Sequence, residues 1–323
     1  MKGGALASAE EGKRETNFQE LRIRFAEAVK RNQAEGLLFS GGLDSALVAA
    51  LAKDCRAISV GLESYGEDGY YADTVAKFLK LEHYDKTVKI EEAINTIPEV
   101  IGILKSFDPA VPNDVTVYLG LRYAKRLGIG SMMTGDGSDE IFAGYDFMLK
   151  MKDLERYMNR MHSTMRFSSN KIGEAFGIHI KQPFLDKEFV RFSQKIPLNL
   201  KVREENGQTW GKWILRKAFE GVLPEEILWQ SKRPLEYGSG MTEMRKIVAA
   251  KVSDEEFEEE KRKSPIKFWN KEHFYYYRIY SQVVGEIPVP ERGQKTCECC
   301  GAGMDQGAFH CRVCGGVTEW RVT

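Results

Sequence analysis

The sequence predicts an α/β fold: a parallel sheet with helices on both faces, then a helical C-terminal part and a small zinc ribbon. Three observations carry this expectation. Short apolar runs alternate with amphipathic helical runs between residues 18 and 134, the pattern of parallel strands joined by helical crossovers. Two glycine-rich turns each leave an apolar run and enter a helical one. Two Cys-x-x-Cys pairs lie close together near residue 300.

Bulk properties bound the answer. A chain of 323 residues is one large domain with a small companion, or two domains. Its 47 Lys+Arg balance 47 Asp+Glu, which argues against a protein that coats nucleic acid broadly but leaves room for local basic patches. No apolar run approaches the ~18 residues of a membrane span, and Met1 to Glu11 has no apolar signal core. A cytoplasmic protein with no membrane partner is expected. Of six cysteines, Cys55 stands alone and five fall between Cys297 and Cys314. A secreted disulfide framework would spread them through the fold.

The elements follow in order. Residues 1–16 are small and polar, and a flexible tail is expected. Thr16 to Gln19 resembles a capping box, and Phe18, Leu21, Phe25 and Val29 at helical spacing predict a helix over 18–32. Glu35 to Phe39 reads as a strand, followed by a helix from Ala46 to Lys53. A strand is expected over Ala57–Leu62, a helix over Tyr71–Leu79 and a third strand over His83–Val88. Val115–Leu127 reads as helix and Ser131–Thr134 as strand. Residues 146–285 read as mostly helical. Within them Ser253–Lys263 is a solvated charged face, and the aromatic run His273–Tyr277 is core or partner packing rather than a nucleic-acid platform. Pro288, Pro290 and Gly293 mark a linker over 286–296. The domain scheme is therefore 17–285, a linker, and a ribbon over 297–323.

The first turn, Ser40-Gly41-Gly42-Leu43-Asp44-Ser45, sits where parallel sheets bind ligands, between a strand's carboxyl end and the next helix. Its glycines let N–H groups approach phosphate oxygens, and the helix terminus adds positive potential. It lacks the lysine of a Walker loop and carries Asp44 instead. A carboxylate beside a polyphosphate needs a divalent cation between them, so Asp44 implies Mg²⁺. Pyrophosphate is the moiety such a loop would cradle, and adenylation the expected chemistry.

The second turn, Thr134-Gly135-Asp136-Gly137-Ser138-Asp139-Glu140-Ile141-Phe142-Ala143-Gly144-Tyr145, carries three acids. A calcium EF-hand fails, because Ile141 and Phe147 stand where that loop needs Gly and Glu. The functional reading is a second carboxylate for Mg²⁺ and an acid or base at the reacting centre.

The first turn resembles the loop of the PP-loop ATP pyrophosphatases, and the second resembles the acidic motif of the asparagine synthetase B family within that superfamily. Further segments match in order: Ile58–Leu62, Phe176-Gly177-Ile178 with Pro183-Phe184-Leu185-Asp186, Lys212–Arg216 through Leu223-Pro224, and Ser231-Lys232 before Gly238-Ser239-Gly240. The resemblance spans residues 17–285. It implies that Ser40, Gly41, Gly42, Asp44 and Ser45 hold pyrophosphate, that Asp44 and Asp139 bind Mg²⁺, and that Phe39, Val60, Thr134 and Gly135 line the ATP site. It places Asp136 at the acyl-adenylate step, Glu140 beside it, and Lys232 where charge on the reacting carboxyl is stabilised. Lys181 and Gln230 stand where the family has arginine, which leaves the acceptor acid open because only Arg offers a planar fork. The family's common enzyme begins with a glutaminase domain whose nucleophile is its first cysteine. Here no cysteine precedes Cys55, so the expectation is free ammonia, ammonia from a separate glutamine amidotransferase subunit, or another nucleophile.

Cys297, Cys300, Cys311 and Cys314 form two Cys-x-x-Cys knuckles, the ligand set of a closed, structural Zn²⁺ site. Cys299 and His310 are the alternative ligands. The leading functional reading is an ATP-dependent amide-forming ligase acting on an amino acid, by resemblance aspartate, with ATP and Mg²⁺. The alternative is a tRNA-modifying PP-loop enzyme that docks RNA through its ribbon. That reading needs cysteines near the ATP site, and only Cys55 lies outside the ribbon.

Overall fold

The computed structural model describes residues 2–63 and 68–317, with side chains over 17–63 and 69–317. Its centre is a five-stranded, all-parallel sheet in the order β3-β2-β1-β4-β5, built from β1 (Gly36–Leu38), β2 (Arg56–Leu62), β3 (Glu82–Val88), β4 (Ser131–Met133) and β5 (His179–Lys181). The strands expected from sequence fall within a residue or two of these bounds. β5 is the exception: it lies in the part read as helical. Three residues are too few to show a period, and only their pairing along β4, Ser131 opposite His179, makes them a strand.

Helix α1 (Lys2–Arg31) packs Leu21, Phe25, Ala28 and Val29 into the core. It runs back to Lys2, so Thr16 stands inside the helix rather than at its N-cap, and the tail expected over 1–16 is helical from Lys2 on. The segment is rich in Ala, Glu, Lys and Arg and free of Pro, which favours helix. α2 (Leu43–Leu51) follows β1, α3 (Asp68–Leu79) follows β2, and α4 (Ile90–Asn95), α5 (Ile97–Leu104) and α6 (Val111–Arg126) lie between β3 and β4. α7 (Ser138–Phe142) follows β4, then α8 (Leu154–Thr164) and α9 (Ser168–Phe176) lead to β5. A small hairpin, β6 (Arg203–Glu205) with β7 (Gln208–Trp210), interrupts the helices beyond.

Two apolar cores flank the sheet. One joins α1, α2 and the helix Trp213–Ala218, with Phe25 against Phe184 at a centroid separation of 4.3 Å. The other joins α5, α6, α9 and the helix Lys271–Val283. In that helix His273, Phe274 and Tyr276 are buried, so the aromatic run is core, as expected. The helix Asp254–Lys263 buries no residue, in keeping with a solvated face.

The cysteine-bearing segment is part of the second core. Cys297, Cys300, Cys311 and Cys314 are buried within it. The N–H of Phe107 donates to Val313 at 2.7 Å, that of Lys267 to Cys299 at 2.8 Å, and His273 Nε2 lies 3.0 Å from the Cys314 carbonyl. The expected linker also changes character: Gln294–Thr296 forms β8, which pairs with β9 (Gly303–Asp305) as the hairpin of the ribbon. No helix among the described residues is long and apolar enough to cross a membrane.

Candidate active site

The strand order reverses between β1 and β4, so the turns that leave these two strands open into one crevice at the sheet's carboxyl edge. The two turns touch there. A Cβ on Gly135 would lie 2.9 Å from Asp44 Cβ, so glycine at 135 permits the approach. The cleft they share has a volume of about 1650 Å³.

The first turn is knit by its own serines. Ser45 Oγ donates to the Gly42 carbonyl at 3.1 Å and lies 3.3 Å from Ser40 Oγ, which accepts from the Gly42 N–H at 3.3 Å. Gly41 has φ +71, and a Cβ there would meet the Ala72 nitrogen at 2.2 Å, which excludes any side chain. α2 begins at Leu43, three residues before its expected start, so Asp44 lies in the first helical turn.

The second turn is shaped from below by Leu185. Gly137, at φ +93, leaves no room for a Cβ, which would fall 2.4 Å from Leu185 Cδ2. This explains the Pro183–Asp186 segment. Asp186 caps the helix Lys187–Ser193 and takes a two-pronged bond from Arg31, Nη2 to Oδ1 at 2.7 Å and Nε to Oδ2 at 3.0 Å, which ties the segment to α1. Asp136 Oδ2 accepts three hydrogen bonds, from Thr134 Oγ1 at 2.7 Å, Ser169 Oγ at 2.6 Å and Gln182 Nε2 at 3.0 Å. Its carboxylate is thereby held in one orientation.

Charge in the crevice is dense. Lys212 Nζ lies 2.7 Å from both oxygens of Asp44 and 2.6 Å from Asp139 Oδ1. Lys232 Nζ lies 2.6 Å from Asp139 Oδ2 and 4.0 Å from Asp44. Burial alone would raise the Asp139 carboxyl, but the two ammonium groups outweigh it and hold the group below the usual carboxylate range. Burial would likewise lower Lys232, and Asp139 and Asp44 outweigh that and raise it. Glu140 differs. Burial, then the charge of Asp139, pushes its carboxyl up to about 7, and it accepts a 2.6 Å bond from Tyr145 OH. Burial also takes Asp114, on α6, to about 7.

Phe39, Ser40, Gly42, Asp44, Ser45, Val60, Thr134, Gly135, Asp136, Asp139, Glu140 and Lys232 all line the cleft. Gly41 and Lys181 do not line the cleft. Gln230 borders it, with its amide donating to Ile227 O at 3.1 Å. Three further groups of the cleft carry no sequence signal for a site role: Lys212, Arg216 and Asp114. Lys212 was part of a matching segment, but nothing local marks a lysine as buried between two carboxylates. Arg216, one turn on, donates to the Gly211 carbonyl at 3.0 Å. Asp114 lies on a helix with no motif of its own.

Two donor sets in the structure suit metal ions. Asp44 and Asp139 offer only hard oxygen atoms and already draw cations to 2.6–2.7 Å, a donor set that suits Mg²⁺. In the ribbon, the four cysteine sulfurs lie within 4.8 Å of one another. Cys297 and Cys314 are 3.7 Å apart and Cys300 and Cys311 3.8 Å, the edge of a tetrahedron with bonds of about 2.3 Å to zinc. N–H groups of Cys299 and Gly316 point at Cys297 and Cys314 sulfur, at 3.4 and 3.3 Å. Neither Cys299 nor His310 joins the cluster.

The chain has relatives among known proteins. A probable glutamine-hydrolysing asparagine synthetase of Dictyostelium discoideum is 28% identical over 308 residues, 84% of this chain and 55% of its own length. The enzyme of Triphysaria versicolor is 32% identical over 250 residues, 68% and 42% respectively, and asparagine synthetase B of Escherichia coli 28% over 313 residues, 86% and 55%. The chain thus spans about half the length of the curated relatives it matches. Among solved structures, a U34-tRNA thiolase from Methanococcus maripaludis aligns at a TM-score of 0.34 with 14% identity over 95% of this chain and 90% of its own, too distant to bear on activity. The asparagine synthase family profile matches residues 20–161 and 151–276, which take in both turns, Lys212 and Lys232, and the chain belongs to that family.

Proposed function

We propose that the protein is an ATP-dependent carbon–nitrogen ligase that activates a carboxylate, aspartate in the simplest case, as an acyl-adenylate and passes the acyl group to ammonia. The observation that carries this reading is the meeting of Asp44 and Asp139 at the lip of the phosphate loop, with Lys212 and Lys232 between and beside them.

The first turn binds the pyrophosphate portion of ATP through its N–H groups and the α2 terminus. Asp44 and Asp139 would hold Mg²⁺, which supplies charge neutralisation to the departing pyrophosphate. The acceptor carboxylate attacks the α-phosphorus, and Lys232 offsets the negative charge that builds there. Ammonia then attacks the acyl carbon and AMP leaves. Glu140, poised near neutrality, is suited to take the proton the nitrogen sheds. Asp136, held by Thr134, Ser169 and Gln182, orients the acceptor.

Cys55 speaks against sulfur transfer. It is buried, does not line the cleft, and burial raises its thiol. The nitrogen donor in this reading is ammonia. The decisive experiment measures pyrophosphate release from MgATP with aspartate plus ammonium, with other amino acids, and with bulk tRNA. Release that needs aspartate and ammonium, with asparagine formed, is expected; release only with tRNA would overturn the reading.

A further inference from the structure

The cleft is larger than the roughly 300–1,000 Å³ that encloses one small ligand. Its far wall is basic and is made by two parts of the chain. Arg166, just before α9, and Lys171, within it, line the cleft beside Ser169, whose hydroxyl holds Asp136. Arg312 lines it from the ribbon. Arg312 lies between Cys311 and Cys314, so the cysteine cluster fixes its backbone. The ribbon is pinned nearby by His310 against Asp108 at 3.1 Å.

These cations are poorly neutralised. Arg312 has Asp305 at 3.5 Å, whereas Arg166 and Lys171 have no ion-paired carboxylate among the described residues. Lys171 donates instead to the Leu104 carbonyl at 3.2 Å. Burial, then the charges of Arg312, Lys105 and Arg166, holds its ammonium below the ordinary lysine range against the opposing charge of Glu174. Like charges gathered in a cleft attract an anion.

We propose that Arg166, Lys171 and Arg312 form a subsite for a second anionic group on the acceptor, a phosphate or carboxylate beyond the carboxyl that is activated. The inference rests on the reading of the cleft as an adenylating site and extends it: the acceptor is a small polyanionic acid that reaches from Asp136 to the ribbon. A nucleic-acid backbone suits the surface less well. Asp108, Asp305 and the exposed Glu174 interrupt the basic rim, and the chain's net charge is zero.

Binding to the full chain tests this, with a non-hydrolysable ATP analogue filling the phosphate loop so that added anions report on the far wall alone. Orthophosphate and tricarballylate serve as the two probes, and the tighter of them names the group. Arg312→Ala and Lys171→Ala should each weaken it about tenfold, the scale of one charge-assisted bond. Unchanged probe binding in both variants, with the analogue still bound, overturns the subsite and leaves the ligase reading standing. Failure of the wild-type chain to bind the analogue overturns the ligase reading. A short single-stranded RNA that binds more tightly than either probe, and is lost in the same variants, overturns the small-molecule assignment.

Discussion

Lys212 Nζ stands 2.6 Å from Asp139 Oδ1, and the space that lets the two meet is the missing side chain of Gly144. A Cβ there would fall 2.0 Å from Asp139 Oδ1 and 2.1 Å from Lys212 Cε. Gly144→Ala should therefore displace both groups. Turnover of ATP is expected to fall at least tenfold, with the far-ultraviolet spectrum unchanged. Wild-type turnover in this variant would show that the Asp139–Lys212 contact is dispensable.

Asp139→Asn removes a carboxylate shared by the buried ammonium group of Lys212 and the half-buried one of Lys232. Leaving such charge unpaired costs about 3–5 kcal/mol, so a lower denaturation midpoint is expected together with loss of Mg²⁺-dependent pyrophosphate release. Asp44→Asn, whose carboxylate is more exposed, should lose Mg²⁺ dependence with a smaller stability change. Titrating Mg²⁺ against turnover in both variants checks this, and an unchanged midpoint for Mg²⁺ in both would remove the metal assignment.

Glu140 sets a pH dependence. With its carboxyl at about 7, the basic form gains population as pH rises through neutrality. The rate per dissolved NH₃ should rise through pH 7 in the wild type and lose that step in Glu140→Gln. The stability effect has the opposite sense. In the unfolded chain the group titrates near its ordinary value of about 4.3, so its contribution is complete below that pH and is lost as pH rises through about 7. Asp114, also raised to about 7, acts in the same direction. Thermal melts from pH 4 to 8 should decline, and less steeply in Glu140→Gln.

The ribbon is expected to bind about one zinc per chain, as four thiolates require. Its sequence suggests a module that could be cut away after the helix Lys271–Val283. Its packing points the other way, because Phe107 and Tyr280 share a core with the four cysteines and His273 Nε2 lies 3.0 Å from the Cys314 carbonyl. Truncation at residue 286 should expose that core and lower the melting temperature by several degrees or more. A truncated chain that melts like the full one would restore the picture of a tethered module.

Purified alone with MgATP and the correct acid, the chain should use ammonium, and glutamine should become a donor when an amidotransferase is added. Mass spectrometry of the amide formed from ¹⁵N-ammonium measures the first claim. AMP release by this chain with glutamine as the sole nitrogen source would refute the second.

Strands β1 to β4, the two glycine-rich turns and the cysteine cluster were legible in the sequence. Each is a local pattern: an apolar run into a glycine turn into a helix, or four thiols a few residues apart, needs only its neighbours to be recognised. Tertiary structure decided the rest. Lys212 meets Asp44 across 168 positions and Lys232 meets Asp139 across 93, and no periodicity marks which lysines will be drawn together by these two carboxylates. β5 is a strand only because β4 offers it hydrogen bonds. Ser106 reaches Val313 across 207 positions, so the ribbon's place in the core was equally hidden. Local sequence encodes conformational preference, whereas charge pairing and the burial of apolar faces are settled by which surfaces meet when the chain closes.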